Sequence, residues 1–387
     1  MNIERLIAAL REVVPADKPV VLHEPEFRGN EKKYLGECID STFVSSIGPF
    51  VDRFEREVAE FIGAKRVISV VNGTAALHVC LLLAGVQRDE EVIIPTLTFI
   101  ATANAVSYAG AIPHFVDSEE STLGLDAHKL DAHLAEIADV RDGKTVNRLT
   151  GRRIAAVVPM HTFGHPVDVE ALLEVCKRWN LPLIEDAAES LGSTYRGRHM
   201  ANFGLVSALS FNGNKTITTG GGGAIVTNDE RLGERAKHLT TTARVKHAWE
   251  FNHDQVGFNY RMPNLNAALG VAQLEQLPRF LEQKRLLAGA YAAALDGVEG
   301  VTFVREPAHA HSNYWLNAIR IDDPAQRDAL LAATNAAGIG TRPVWTLMHM
   351  LPMYANAPRM DLSTSERIAA TLINLPSSAV LGARIAA

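Results

Sequence analysis

Short runs of apolar and β-branched residues recur through the first two-thirds of the chain. They fall at Arg66–Asn72, Glu91–Thr96, Ile112–Asp117, Ile154–His161, Leu181–Asp186, Val206–Phe211 and Ala224–Asn228. Several are apolar at both odd and even positions, the pattern of strands covered on both faces. Helical periodicity fills the gaps. Val169, Leu172, Leu173 and Cys176 repeat at i, i+3, i+4 and i+7, with Asp168 placed to cap the helix. Alternating strands and helices predict an α/β fold, a seven-stranded and mostly parallel sheet flanked by helices. The pattern changes after Asn264. A long helical stretch runs to about Ala294 with a bend expected at Pro278, followed by strand-like Val301–Val304 and Trp315–Ile321 and a helix near Ala325–Ala337. Two units are expected: a large domain over 1–255, and a smaller C-terminal α+β domain over 256–387 that includes the long connecting helix.

The 387 residues carry 38 Lys and Arg against 44 Asp and Glu, a net charge of −6, and no basic stripe that would suit nucleic acid. The longest apolar stretch, Ala75 to Val86, is interrupted by His78 and is about half a membrane span, so no membrane partner is expected. The N-terminus reads as a short amphipathic helix with two glutamates, not a signal peptide. Cys38, Cys80 and Cys176 are far apart, which excludes a disulfide framework and a cysteine-built zinc site and fits a cytoplasmic location.

Four segments place reactive chemistry where strands end and helices begin, the usual position of sites in open α/β sheets. Asn72-Gly73-Thr74-Ala75 opens a helix after a strand, where free N–H groups and the helix dipole attract phosphate; a plain capped turn has the same residues. Asp186 closes the apolar run LPLIED, where a carboxylate can hold a cation or a protonated ring nitrogen, or cap a helix. Lys215 stands between the strand SALSF and a turn containing Gly220 to Gly223. That is a poor place for a solvated side chain and a suitable one for a nucleophilic amine. The glycines follow the lysine and do not match GxxxxGK[ST], so close backbone approach is the reading for them. In Gly257-Phe258-Asn259-Tyr260-Arg261, polar and aromatic residues alternate, as if one face were buried and the other met an anion. His161 and His165 in HTFGH lack a carboxylate at metal-ligand spacing, and no metal is expected.

Together, and in this order, these segments resemble the DegT/DnrJ/StrS family of fold-type I, pyridoxal 5'-phosphate (PLP)-dependent nucleotide-sugar aminotransferases. The resemblance runs from about Asn30 to Pro376 through VSSIGPFV, NGTAALH, PTLTFIATANA, HTFGHPVD, EDAAESLGS, SFNGNKTITTGGGGAIVTND, GFNYRMPNLNAALGVAQLEQL and GIGTRP. It implies that Lys215 binds PLP covalently and shuttles the proton, and that Asp186 keeps the pyridine nitrogen protonated. It implies further that Gly73, Thr74, Ala75 and Ser210 bind the cofactor phosphate and that Phe99 stacks on the ring. Glu189 would lie near the ring hydroxyl, where many relatives carry Gln. Asn259 and Arg261 would reach the neighbouring subunit's site, making a homodimer with shared active sites. Ser46, His311, Trp345 and His349 are candidate sugar contacts, with Trp315 in the same region.

The reaction the resemblance implies is transamination at C4 of a nucleotide-linked 4-keto-6-deoxy sugar, with glutamate as donor and 2-oxoglutarate as by-product. Likeness puts UDP-4-keto-6-deoxy-N-acetylhexosamine first. GDP-4-keto-6-deoxymannose, which would give perosamine, is the alternative, since the core motifs do not distinguish the two. Lys215 stands where related dehydratases carry His, and the intact Lys215 and Asp186 argue against a non-catalytic regulatory protein on the same fold.

Overall fold

The computed structural model describes residues 1–385. The seven runs form strands β1 (Arg66–Val70), β2 (Glu91–Pro95), β3 (Ile112–Val116), β4 (Ile154–Val157), β5 (Ile184–Asp186), β6 (Val206–Ser210) and β7 (Gly223–Thr227). Ladders of order β1-β7-β6-β5 and β3-β2-β4 meet where β4 and the residues after it bridge in parallel to the β5 segment, at Val157–Leu183 and Met160–Asp186. Only β7 runs against its neighbours. The carboxyl ends of the other six strands therefore open on one side of the molecule, which positions the loops discussed below.

Helices α1 (Ile3–Val13), α2 (Pro49–Ile62), α3 (Gly73–Leu83), α4 (Ile100–Tyr108) and α5 (Val169–Arg178) come before the C-terminal half of the chain. Asp168 caps α5 as its position predicts, accepting from the Ala171 N–H at 3.2 Å. Helix α3 is buried almost throughout, with Leu77, Cys80 and Leu81 packed among Ile68, Ile94 and Ala208 of the sheet. This accounts for an apolar stretch with little amphipathic character. Among the described residues, no helix is long and apolar enough to cross a membrane.

The stretch after Asn264 is not one bent helix. It forms α6 (Asn264–Leu274) and α7 (Leu277–Ala294), and Pro278 sits in the first turn of the second. A proline has no N–H to donate and is accommodated at a helix start, not inside it. The C-terminal sheet comprises β8 (Val301–Phe303), β9 (Asn317–Ile321), β10 (Arg342–Pro343) and β11 (Leu372–Leu375), in the antiparallel order β8-β9-β11-β10. Packing does not follow chain order. Leu6 and Leu10 of α1 cluster with Tyr291 of α7 and Ile319 of β9, whereas Ala267 and Val271 of α6 cluster with Phe54 of α2 beside the large sheet. The N-terminal helix thus packs with the elements expected in 256–387, and α6 packs with those expected in 1–255.

Candidate active site

A cavity of about 300 Å³ opens at the carboxyl ends of the strands. Its lining brings together Gly73, Thr74, Asp186, Glu189, Ser210 and Lys215, from segments nearly 150 residues apart in sequence. Phe99, Trp315 and Trp345 line the same space. Phe99 is 44% exposed although it is a large apolar side chain, and its ring meets Trp345 edge-on with centroids 5.8 Å apart.

One rim is the start of α3. Asn72 caps the helix by accepting from the Ala75 N–H at 2.8 Å. This bond corrects the expected anion cradle: the Ala75 N–H is already occupied, and Ala75 does not line the cavity. Gly73 and Thr74, first in the helix, carry N–H groups without an intrahelical acceptor. Gly73 is forced by its surroundings, since a Cβ there would stand 2.9 Å from Ser210 Cβ. Gly223 is forced in the same way, because a Cβ would lie 2.5 Å from the Asn72 carbonyl oxygen. The glycine run is thus explained at this position by close backbone approach, as its sequence suggested.

The floor is Asp186. Alternation along β5 sends Glu185 and Asp186 to opposite faces. Glu185 accepts from the Ala201, Phe203 and Gly204 N–H groups at 2.9, 2.7 and 2.7 Å and pairs with His161 at 3.2 Å. Asp186 faces the cavity, where Oδ2 accepts from the Thr102 hydroxyl at 2.6 Å and Oδ1 from the Ala188 N–H at 3.2 Å. Burial raises its pKa above the usual carboxylate range, against the hydrogen bonds from Thr102 and Ala188. Asp186 therefore does not cap a helix. It is a buried carboxylate with no cation in bonding contact among the described residues, which suits a protonated heterocyclic nitrogen. Thr102 was within a recognised motif but had no assigned role. Its signal is the spacing of four from Thr98, in the segment leading into α4, whose hydroxyl lies 2.8 Å from that of Thr102.

Lys215 Nζ donates to Glu189 Oε1 at 3.1 Å, with the two side chains 12% and 1% exposed. The other oxygen, Oε2, accepts from the Phe163 N–H at 2.9 Å. Phe163 reaches that position with φ of 58°, an uncommon conformation for an aromatic residue and a strained one. Burial pushes the Glu189 carboxyl up to about 7, with Lys215 and the Phe163 N–H opposing it. Of the histidines of HTFGH, His161 pairs with Glu185, and buried His165 packs against Tyr314 with ring centroids 5.3 Å apart, its ring nitrogens without a hydrogen-bond partner among the described residues.

Not every sequence candidate reaches this cavity. Ser46, Asn259 and Arg261 line a second depression with Arg244, Lys246 and His253. The Tyr260 carbonyl accepts from the Val71 N–H at 2.9 Å, so this segment passes beside the end of β1 but opens elsewhere. Arg261 Nε is buried with no hydrogen-bond partner among the described residues. His311 is exposed and pairs with Thr194 in a short ladder. His349 Nδ1 is bonded to the Thr96 hydroxyl at 2.7 Å and Nε2 lies 3.3 Å from Glu366, which hold its ring outside the lining.

These groups fit PLP. The α3 start and Ser210 offer donors to a phosphate, Asp186 offers a buried anion to the ring nitrogen, and Lys215 offers an amine between them. Comparison with known proteins agrees. The model of the DegT/DnrJ/EryC1/StrS aminotransferase family matches residues 25–384. The chain is 37% identical to the GDP-perosamine synthase of Escherichia coli O157:H7, over 93% of each chain. It is 38% identical to the GDP-perosamine synthase of Caulobacter vibrioides, over 92% of each. Among solved structures, the aminotransferase TlmJ of Streptoalloteichus hindustanus superposes with a TM-score of 0.84 at 30% identity, covering 93% of both chains.

Proposed function

The chain belongs to the DegT/DnrJ/EryC1/StrS aminotransferase family, PLP-dependent enzymes of nucleotide-sugar metabolism, and from that premise we propose that it aminates C4 of GDP-4-keto-6-deoxymannose to give the perosamine nucleotide. The observation that carries this choice of sugar is the identity of 37–38%, across nearly the whole chain, to relatives named GDP-perosamine synthase. Motif likeness alone favoured a UDP-linked N-acetylhexosamine; the relatives support the GDP-linked alternative better.

When bound, PLP supplies an aldehyde that exchanges amino groups and a ring that accepts the electron pair left by a departing proton. In this reading Lys215 anchors the cofactor and, once released, takes the proton from the donor's α-carbon and delivers one to C4 of the sugar. Asp186 holds the proton on the ring nitrogen. Gly73, Thr74 and Ser210 hold the phosphate, and Phe99 covers the ring. Trp345 forms an aromatic wall for the sugar. Glutamate is the proposed amino donor. Asn259 and Arg261 serve the site of a second copy, which explains why they do not line the Lys215 cavity of their own chain. Arg261 suits that role because a guanidinium can bind a phosphate or carboxylate bidentately.

The test is a paired assay with glutamate and either the GDP-linked or the UDP-linked keto-sugar, following 2-oxoglutarate release and product mass. The amino product of the GDP sugar is expected, with the larger kcat/KM. A larger kcat/KM on the UDP sugar overturns the choice of substrate and leaves the family intact.

A further inference from the structure

Trp315 has no assigned part in the reaction, yet it touches Lys215 in two ways. Its ring lies beneath the amine, with Lys215 Nζ 3.8 Å from the ring centroid. Its Nε1–H donates to the carbonyl of Asn214, the residue before Lys215, at 2.7 Å. One side chain, 4% exposed, therefore contacts both the amine and the backbone that carries it.

Trp315 is itself held from behind. Its N–H donates to Asn313 Oδ1 at 2.8 Å, and the Asn313 amide donates to the carbonyls of Glu189 and Leu191 at 2.8 and 2.9 Å. Its carbonyl accepts from Lys284 Nζ at 3.2 Å. Lys284 is fully buried on α7 and also bonds to the Ser377 carbonyl at 2.6 Å and to His23 Nε2 at 3.1 Å. An ammonium has three donors, and these three acceptors use all of them. Lys284 does not line the cavity, and its hydrogen bonds fix the wall that carries Trp315.

We propose that Trp315 is a positioning residue for the reaction, holding the Lys215 amine between its ring face and the Glu189 carboxylate. This rests on the role given to Lys215 above. A lysine side chain has four rotatable carbons' worth of freedom, and an amine released from the cofactor can swing away from the carbon it must serve. Attraction between an ammonium and an aromatic face restricts that swing without a second formal charge. The charged groups facing Lys215 are Glu189, in direct contact, and Asp186; His23 lies further off on the Lys284 side.

The proposal is tested on the full chain freed of cofactor, by brief acetic anhydride labelling and mass spectrometry of the Lys215 peptide. Buried Lys284 serves as the internal gauge of an intact wall. Trp315→Leu should label Lys215 about two- to fivefold faster than wild type, the loss of one cation–aromatic contact. Trp315→Phe, which retains a ring face, should show a distinctly smaller rise, and Lys284 should stay unlabelled throughout. If Trp315→Leu exposes Lys284, Trp315→Met, which fills more of the space, takes its place. A wild-type rate in the non-aromatic variant, or a rise as large in Trp315→Phe, overturns the proposal. So does exposure of Lys284 in both non-aromatic variants, which would make Trp315 a packing residue only. The labelling needs neither sugar nor cofactor, so it stands whichever nucleotide the enzyme takes. A failure of the Lys215 assignment would appear separately, as wild-type protein that does not bind PLP covalently.

Discussion

At the scale of single residues, the two buried acids of the cavity make distinct predictions. Asp186 is held by Thr102 and Ala188, contacts that an asparagine of the same shape can largely keep. Asp186→Asn should therefore fold, but lose a charged partner worth on the order of 3–5 kcal/mol in a buried site. The expected loss of turnover is about a hundredfold or more, read by steady-state assay; near-normal turnover would reduce Asp186 to a structural role. Glu189 has a folded-state pKa near 7, above its usual value. Between its ordinary range and about pH 7 the folded protein holds the extra proton, so this group's contribution makes stability fall as pH rises, and the penalty is complete above pH 7. Glu189→Gln removes that slope. In cofactor-free protein, the denaturation midpoint of the variant relative to wild type should be more favourable at pH 8 than at pH 5. The reverse ordering would show that the Lys215 contact outweighs burial.

Lys284 gives the complementary prediction. Burial lowers its pKa to about 7. The unfolded chain then binds more protons between about pH 7 and the ordinary lysine range, so stability from this group rises with pH across that window and its penalty is greatest below it. Lys284→Met should lack that rise. Paired urea melts at pH 7 and pH 9.5 would show the difference, and parallel curves would sink the idea.

At the scale of elements, the site depends on how closely the start of α3 approaches the end of β6. The 2.9 Å separation that a Cβ at position 73 would have from Ser210 Cβ cannot be relieved by a side-chain rotation, because both atoms are fixed to the backbone. Gly73→Ala should push α3 off the strand end and weaken PLP binding by about tenfold or more, measured by absorbance titration. Unchanged affinity would remove the α3 start from the phosphate site. The turn after β4 is a second such device. Phe163 adopts φ of 58° and Gly164 follows at 93°, where a Cβ would stand 1.8 Å from Asn313 Oδ1. The glycine makes room for the Asn313 side chain, and the strained phenylalanine aims its N–H at Glu189.

At the scale of the whole molecule, the separation of Asn259 and Arg261 from the Lys215 cavity calls for a test by complementation. Lys215→Ala and Arg261→Ala chains, each inactive alone, should regain activity when mixed. If two copies share their sites as proposed, each mixed dimer has one site with an intact lysine and an intact partner arginine. With random exchange, half the dimers are mixed and half their sites are intact, so recovery should approach about a quarter of the wild-type rate. Confirmed subunit exchange with no recovery would confine Arg261 to its own subunit or to no site.

The sheet was legible in the sequence because its physical cause is local. Strands buried on both faces need continuous apolar runs, and all seven runs became strands within a few residues of their expected limits. Lys215, Asp186, Gly73 and Ser210 were legible because each sits at or within a few residues after a strand end in a recognisable segment, and strand ends converge in this fold. Other features could be decided only by tertiary packing. The break at Pro278 and the placement of α1 against α7 depend on which apolar faces meet, and a helical periodicity does not name its partner. Thr102, Phe163 and Trp315 act on Asp186, Glu189 and Lys215 from positions between 26 and 100 residues away in the chain. No spacing rule links such pairs. Their contacts exist because the folded backbone brings strand ends, a strained turn and a C-terminal wall around one cavity.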